Sequence, residues 1–217
     1  MSPGPAPVRR RLPAAERRGL ILDAALDAFA EGGYRETKLD DVAVRAGVSK
    51  ALIYEHFASK EELFREILET YVTELRESVL AAATSVNEGS EARLIAGLEG
   101  FLAFVEGRRD AWRMLIRHRA SDDVSETFER LYEEVAGMIG SLMAPEMPRS
   151  VLPEGVGFDL VLDAMARQLL GAVTGIANWW DEHREVPRTQ VLEMVMEFSW
   201  VGMERATSGE RWTAGNR

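Results

Sequence analysis

The 217-residue chain has no cysteine. That removes disulfides, thiol chemistry and thiolate metal sites, and it suits a reducing compartment. Proline is confined to the ends and to two breaks, and runs of alternating β-branched residues are absent, so strands are not expected. Long hydrophobic runs are missing as well. The longest, Leu169 to Trp180, covers twelve residues with Thr174 and Asn178 inside it, too short to span a bilayer. The first twelve residues hold arginines but no apolar core, so no signal peptide is expected. These absences predict a soluble, cytoplasmic protein that does not engage membranes.

Histidine is scarce too. Three residues before His56, His118 and His183 stand Ile53, Leu115 and Trp180, which excludes the Glu-x-x-His pairs of a di-iron bundle. There is no His-Glu-x-x-His, no phosphate-binding glycine loop and no plausible Ser-His-Asp order. An enzyme is not expected, and neither a cofactor nor a metal is implied.

What is present is unevenly spread. The net charge is −10, but residues 1–60 carry ten Lys/Arg against eight Asp/Glu, and the rest carry sixteen against twenty-eight. A mildly basic front precedes a strongly acidic body, so only the front suits a polyanion.

Apolar spacing predicts helix nearly throughout, about nine in all. The first runs from about Ala14 to Ala30 with Leu20, Ile21, Ala24, Ala25, Ala28 and Phe29 on one face, and glycines stop it. A second covers about Lys38 to Ala46, with Thr37 expected as N-cap and Asp40 as its reciprocal partner. A third starts at Ser49. The fourth starts at Ser59, where Ser59 and Glu62 form a capping box, and reaches about Ala83. Helices follow over "RLIAGLEGFLAFVEG", from near Asp110, and over about Asp123 to Met143. The breaker-rich stretch from Ala144 to Gly157 reads as a mobile loop. Two last helices cover about Phe158 to Glu182 and Thr189 to Thr207.

Gly47, Val48 and Ser49 interrupt a good helical pattern for a single step. Gly47 suits a left-handed helix end, Val48 plugs the junction and Ser49 caps the next helix. Val42, Ala43, Ala46, Val48, Ile53 and Phe57 form a small core, leaving Lys50, Ala51, Leu52, Tyr54, Glu55 and His56 outside. The segment is either a helix-turn-helix whose second helix enters a major groove, or an ordinary helical hairpin.

Residues 37–64, "TKLDDVAVRAGVSKALIYEHFASKEELF", resemble the DNA-binding signature of TetR-family transcriptional regulators, preceded as in that family by a helix ending in "FAEGGY". The likeness is specific over about residues 16–65. It implies a nine-helix subunit in which helices one to three bind DNA and helices four to nine hold ligand and dimerise. It places Thr37 and Lys38 at a phosphate, Lys50 at phosphate or a base edge beside the capping Ser49, and Tyr54 and His56 at backbone phosphates. Lys60 falls at the N-terminus of helix four, itself a natural phosphate site. Ala51 and Leu52 stand where the family usually has Gly-Thr, and Glu55 adds a negative charge. Leu52 either presses on a thymine methyl or packs internally. Glu55 either accepts from a cytosine amino group or repels wrong sites. The flanking arm with Arg9, Arg10 and Arg11 either follows phosphates or the minor groove, or is a solubilising tail.

In the body, Phe101, Trp112 and Phe128, with polar Gln168 and Asn178, are the candidate ligand contacts. Arg113 and Arg167 are the groups able to neutralise an anionic ligand. Aromatic stripes of this kind also serve as plain core. Leu169, Val173, Ile176 and Trp180, with Val191, Met194, Val195 and Phe198, form stripes on the last two helices. These stripes belong either to an intermolecular four-helix bundle or to the chain's own core.

The reading is all-α: a basic arm (1–13), a three-helix helix-turn-helix domain (14–58), a larger ligand-binding and dimerisation domain (59–207) and a tail (208–217). It describes a ligand-responsive homodimeric regulator. Its partners are a palindromic double-stranded operator, a second copy of the chain and a small, mostly apolar ligand that releases a repressor from DNA. A helical adaptor without DNA affinity is the rival reading.

Overall fold

The computed structural model describes residues 13–87, 89–117, 125–147 and 155–207. Among them there are nine α-helices and no strand: α1 (Ala14–Gly32), α2 (Leu39–Ala46), α3 (Lys50–His56), α4 (Lys60–Ser85), α5 (Ser90–Gly107), α6 (Arg109–Arg117), α7 (Ser125–Met143), α8 (Phe158–Glu182) and α9 (Arg188–Thr207). A short 3-10 turn, Ala144–Glu146, opens the stretch expected as loop. The arm with Arg9 to Arg11 and the tail from 208 lie outside the described residues.

Packing divides the chain into two compact units, one ending at Ile67 and the other beginning at Leu68. The division falls inside α4, later than the sequence boundary at 58/59, because the first turns of α4 belong to the core of the first unit. Phe64 meets Phe29 edge-on at 5.0 Å and Tyr34 at 4.8 Å. Leu63 and Ile67 are as deeply buried. Arg18 of α1 pairs with Glu66 of α4 and lies 4.9 Å over the Phe57 ring. Of the core expected for the two short helices, Val42, Ala43, Ile53 and Phe57 are buried, while Ala46 and Val48 are half-buried. Leu20, expected inside, is 42% exposed.

The second unit is built from the rest of α4 and α5 to α9. The helices α4 and α5 approach closely at Gly100. A Cβ added at Gly100 would stand 2.7 Å from the backbone oxygen of Ser78, and the Ser78 hydroxyl donates to the Gly100 carbonyl at 3.0 Å. The Arg108 N–H closes α5 on the Phe104 carbonyl at 2.8 Å before α6 begins. Between α7 and α8, a Cβ at Gly140 would be in ordinary contact with Leu162 and Ala166. Arginine–carboxylate pairs cross helix boundaries around the unit: Arg108–Glu74, Arg130–Glu69, Arg167–Glu133, Arg113–Asp181 and Arg188–Glu106. Most are exposed, and each contributes little alone.

By length and composition α8 is apolar enough to cross a membrane, with a mean hydropathy of 1.3 over its best window. The sequence reading missed this because it measured uninterrupted runs rather than averages. Part of that apolar character is internal: Ala166, Leu169, Leu170, Val173, Ala177 and Trp180 are buried.

Candidate nucleic-acid interface and ligand cavities

The helix-turn-helix is assembled as the Gly-Val-Ser step requires. Gly47 ends α2 with φ 65° and ψ 31°, in the left-handed region where glycine carries no Cβ penalty. Its N–H bonds the Val44 carbonyl and the Val48 N–H bonds that of Ala43 at 3.0 Å, closing a Schellman motif. Ser49 then accepts the Leu52 N–H on its hydroxyl at 3.2 Å, capping α3. Ile53 anchors α3 from its buried side. Lys50, Ala51, Tyr54 and Glu55 are exposed; Leu52 and His56 are half-buried. Tyr54 is 51% exposed.

The capping box at α4 forms with one shift. Glu62 N–H reaches the Ser59 hydroxyl at 3.1 Å, while the Glu62 carboxylate accepts from the N–H of Ala58 at 2.5 Å. Lys60, next in line, donates to the Arg35 carbonyl at 3.2 Å and rests 4.5 Å over the Tyr34 ring.

Thr37 departs from expectation twice. It is 6% exposed, and its hydroxyl lies 2.7 Å from the Gly33 carbonyl and 3.0 Å from that of Ala28. The Gly33 carbonyl also accepts the Thr37 N–H at 3.2 Å, so Thr37 holds the end of α1 through both backbone and side chain. Its side chain locks the α1–α2 connection and is not available to a phosphate. The N-cap of α2 is Lys38, exposed and extended, with no side-chain cap bond. Asp40, freed from the expected capping role, accepts from Lys50 at 2.8 Å across the helix pair. That bond holds the Lys50 ammonium above the ordinary lysine range of pKa. Arg45 and Glu31 form a similar exposed pair at 2.5 Å, which lowers the Glu31 carboxyl pKa. His56 keeps its Nε2 buried and without a partner.

Among the described residues of the second unit, two cavities are walled by several helices. The first, about 130 Å³, is walled by α4, α5, α7, α8 and Trp200 of α9. Leu75, Val79, Phe101, Met138, Ile139 and Met165 set its apolar character; Ser90, Arg76 and Arg93 are its polar members. The second, about 320 Å³, holds Phe101, Trp112, Phe128 and Tyr132 beside Glu129, Glu133, Arg167 and Thr174.

The expected ligand contacts are thus split. Phe101 lines both cavities, and Trp112 and Phe128 line the second. Gln168 is exposed on the far face of α8. Asn178 is half-buried with its Oδ1 unpartnered, and it lines neither cavity. Helical phase explains both misses: Gln168 sits one position before the buried pair Leu169 and Leu170, and Asn178 one after buried Ala177. The methionines of the first cavity were missed for lack of a polar flag.

The expected dimer stripe also needs correction. Leu169, Val173, Trp180, Val191 and Val195 are already buried within the chain, and Leu169 and Val173 face the first cavity. Trp180 is 1% exposed and donates its indole N–H to the Val186 carbonyl at 2.8 Å. The two apolar faces of α8 and α9 close on their own core. Ile176 is half-buried; Met194 and Phe198 are 45% and 80% exposed, joined by Val201 at 53%.

A capped recognition helix set on a three-helix core, followed by a helical body with cavities, defines a helix-turn-helix transcriptional regulator. The comparisons agree. Residues 21–67 match the family model for bacterial regulatory proteins of the tetR family, and residues 90–202 match that for a tetracyclin repressor-like C-terminal domain. The chain is 29% identical over 199 residues to the HTH-type transcriptional activator FasR of Mycolicibacterium smegmatis, covering 89% of this chain and 85% of that one. It is 45% identical over 56 residues to the HTH-type transcriptional repressor KstR2 of Mycobacterium tuberculosis, covering 26% and 28%. A TetR-like transcriptional regulator from Rhodococcus sp. RHA1 superposes with a TM-score of 0.72 at 26% identity, covering 89% of this chain and 99% of that one. The chain belongs to the TetR family of DNA-binding transcriptional regulators, and it is not an enzyme.

Proposed function

We propose that the protein is a cytoplasmic, homodimeric repressor that leaves a palindromic operator when a small, mostly apolar molecule occupies its body. The observation that carries the reading is α4. It is one uninterrupted helix with Lys60 at its start and the cavity-lining Leu75 and Val79 further along. A guest that displaces those side chains acts on the same helix that presents Lys60. Release requires that the guest bind the DNA-free geometry better, and that difference alone sets how far it shifts the balance. Lys38, Lys50, Tyr54 and Lys60 are the proposed contacts, with Ala51, Leu52 and Glu55 reading bases. Met194, Phe198 and Val201 of α9, beside exposed Gly171 and Gly175 of α8, are the proposed dimer face. A second reading, activation, is favoured by the extended similarity to an activator; the same contacts serve it.

Selection of bound sequences from a random duplex pool at two salt concentrations tests the reading. A palindrome, bound with affinity that falls steeply in salt, is the expected result. Salt-sensitive binding without a motif would overturn it in favour of non-specific contact by the basic arm, and no binding would overturn it in favour of the adaptor. Placing the operator upstream of a reporter then separates repression from activation.

A further inference from the structure

Of the 26 basic residues in the chain three are lysine, Lys38, Lys50 and Lys60, and all three lie in the first unit. The arm and the body carry arginine alone. Charge does not require this division. A guanidinium meets a phosphate with two parallel hydrogen bonds, so arginine would serve the three proposed contacts at least as well. What lysine adds is a nucleophile. Its amine can lose a proton and form an amide, whereas a guanidinium stays protonated and does not react with acyl donors. Among the basic side chains, acylation therefore falls on the DNA-binding unit.

The three amines are not equivalent. Lys50 donates to Asp40 at 2.8 Å, and that bond holds its ammonium above the ordinary lysine range of pKa, which leaves less neutral amine. Lys60 is half-buried, donates to the Arg35 carbonyl at 3.2 Å and rests 4.5 Å over the Tyr34 ring. An acyl donor must disturb that arrangement to reach it. Lys38 is exposed, in extended backbone just before α2, and makes no side-chain cap bond. No hydrogen bond or ion pair among the described residues holds its ammonium.

We propose that Lys38 is a modification site at which a small acyl thioester turns off DNA binding. The neutral Lys38 amine attacks the thioester carbonyl; the C–N bond forms, the C–S bond breaks, and the thiol leaves with the proton that the amine gives up. The product is an uncharged amide, so one phosphate contact is lost. Bound DNA covers Lys38 and keeps its ammonium paired, so the reaction takes the chain that is already off DNA and holds it there. The proposal rests on the reading of Lys38 as a phosphate contact.

Treatment of the full chain with S-acetyl-N-acetylcysteamine, with and without a random-sequence duplex at low salt, tests it, with peptide mass spectrometry following each lysine over time. Lys38 is expected to react several-fold faster than Lys50 or Lys60, and the duplex should slow it. Fluorescence anisotropy should then show weaker duplex binding, with the slope of log affinity against log salt lower by about one. Whatever affinity Lys38→Arg has before treatment, the thioester should leave it unchanged. Asp40→Asn should raise the rate at Lys50. Reaction at Lys50 or Lys60 ahead of Lys38, equal rates at all three, or unchanged affinity once Lys38 is acetylated would overturn the proposal. Lys38→Gln keeps the two claims apart. If it binds the duplex as tightly as the wild type, the phosphate-contact reading falls; if it binds weakly while Lys38 stays inert to the thioester, the modification alone falls.

Discussion

On the proposed reading, recognition turns on Lys50 and Lys60, and each reaches the DNA question already engaged. Lys50 is bonded to Asp40, and Lys60 to the Arg35 carbonyl and the Tyr34 ring. An exposed ion pair is worth little on its own, so a phosphate displaces it readily. Replacing either lysine with alanine should weaken operator binding and lower the slope of log affinity against log salt by about one, as fluorescence anisotropy over a salt series would show. Asp40→Asn should do the opposite to random DNA: non-specific affinity rises while the specific-to-random ratio falls. If random-sequence affinity does not change, Asp40 is a bystander. These residues were only partly legible in sequence. Lys50 and Ser49 follow from the turn, but Thr37 was expected at a phosphate because its type and position fit a cap. Only the fold reveals that the carbonyls of Ala28 and Gly33 engage its hydroxyl.

At the scale of elements, the sequence spacing located all nine helices to within a few residues, since apolar periodicity and the caps at Ser49 and Ser59 are local signals. It did not reveal how closely any two of them approach. Gly100 reads as one more glycine in a helix, yet it is the point where α5 meets the α4 backbone. Gly100→Ala should therefore destabilise the chain by about 1–3 kcal/mol through overpacking. Gly97→Ala, whose Cβ would meet Ala83 at an ordinary 3.6 Å, should be neutral or stabilise by about 1 kcal/mol. Thermal unfolding of the two variants side by side checks this; equal effects would mean that α4 and α5 can part at no cost. The phase errors at Gln168 and Asn178 have the same origin, because a helix pattern shows that a stripe exists before it shows what the stripe faces.

At the scale of the molecule, the family and the two-part plan were legible because the helix-turn-helix signature is compact in sequence. The dimer face was not. Helices buried on more than one side carry more apolar positions than a single stripe explains, and Trp180 and Val191 proved internal. The apolar residues left outside on α9, Met194, Phe198 and Val201, stand at i, i+4 and i+7, the spacing of one helical face. Phe198→Glu should shift the chain from dimer to monomer in analytical ultracentrifugation with its helical circular dichroism retained. Operator affinity should fall with it, since a lone recognition helix makes few base contacts. A dimer that survives the substitution would place the interface elsewhere.

The Lys50–Asp40 pair also bears on economy in the cell. A bacterial chromosome offers millions of wrong sites for each right one, and a regulator spends its time distributed among them. Every phosphate contact strengthens wrong and right sites alike. On the proposed reading, Asp40 occupies Lys50 until a better partner arrives and so weakens the hold of the many without taxing the one to the same degree. Fewer molecules are then absorbed by the bulk of the chromosome, and a smaller number of copies suffices to keep one promoter occupied.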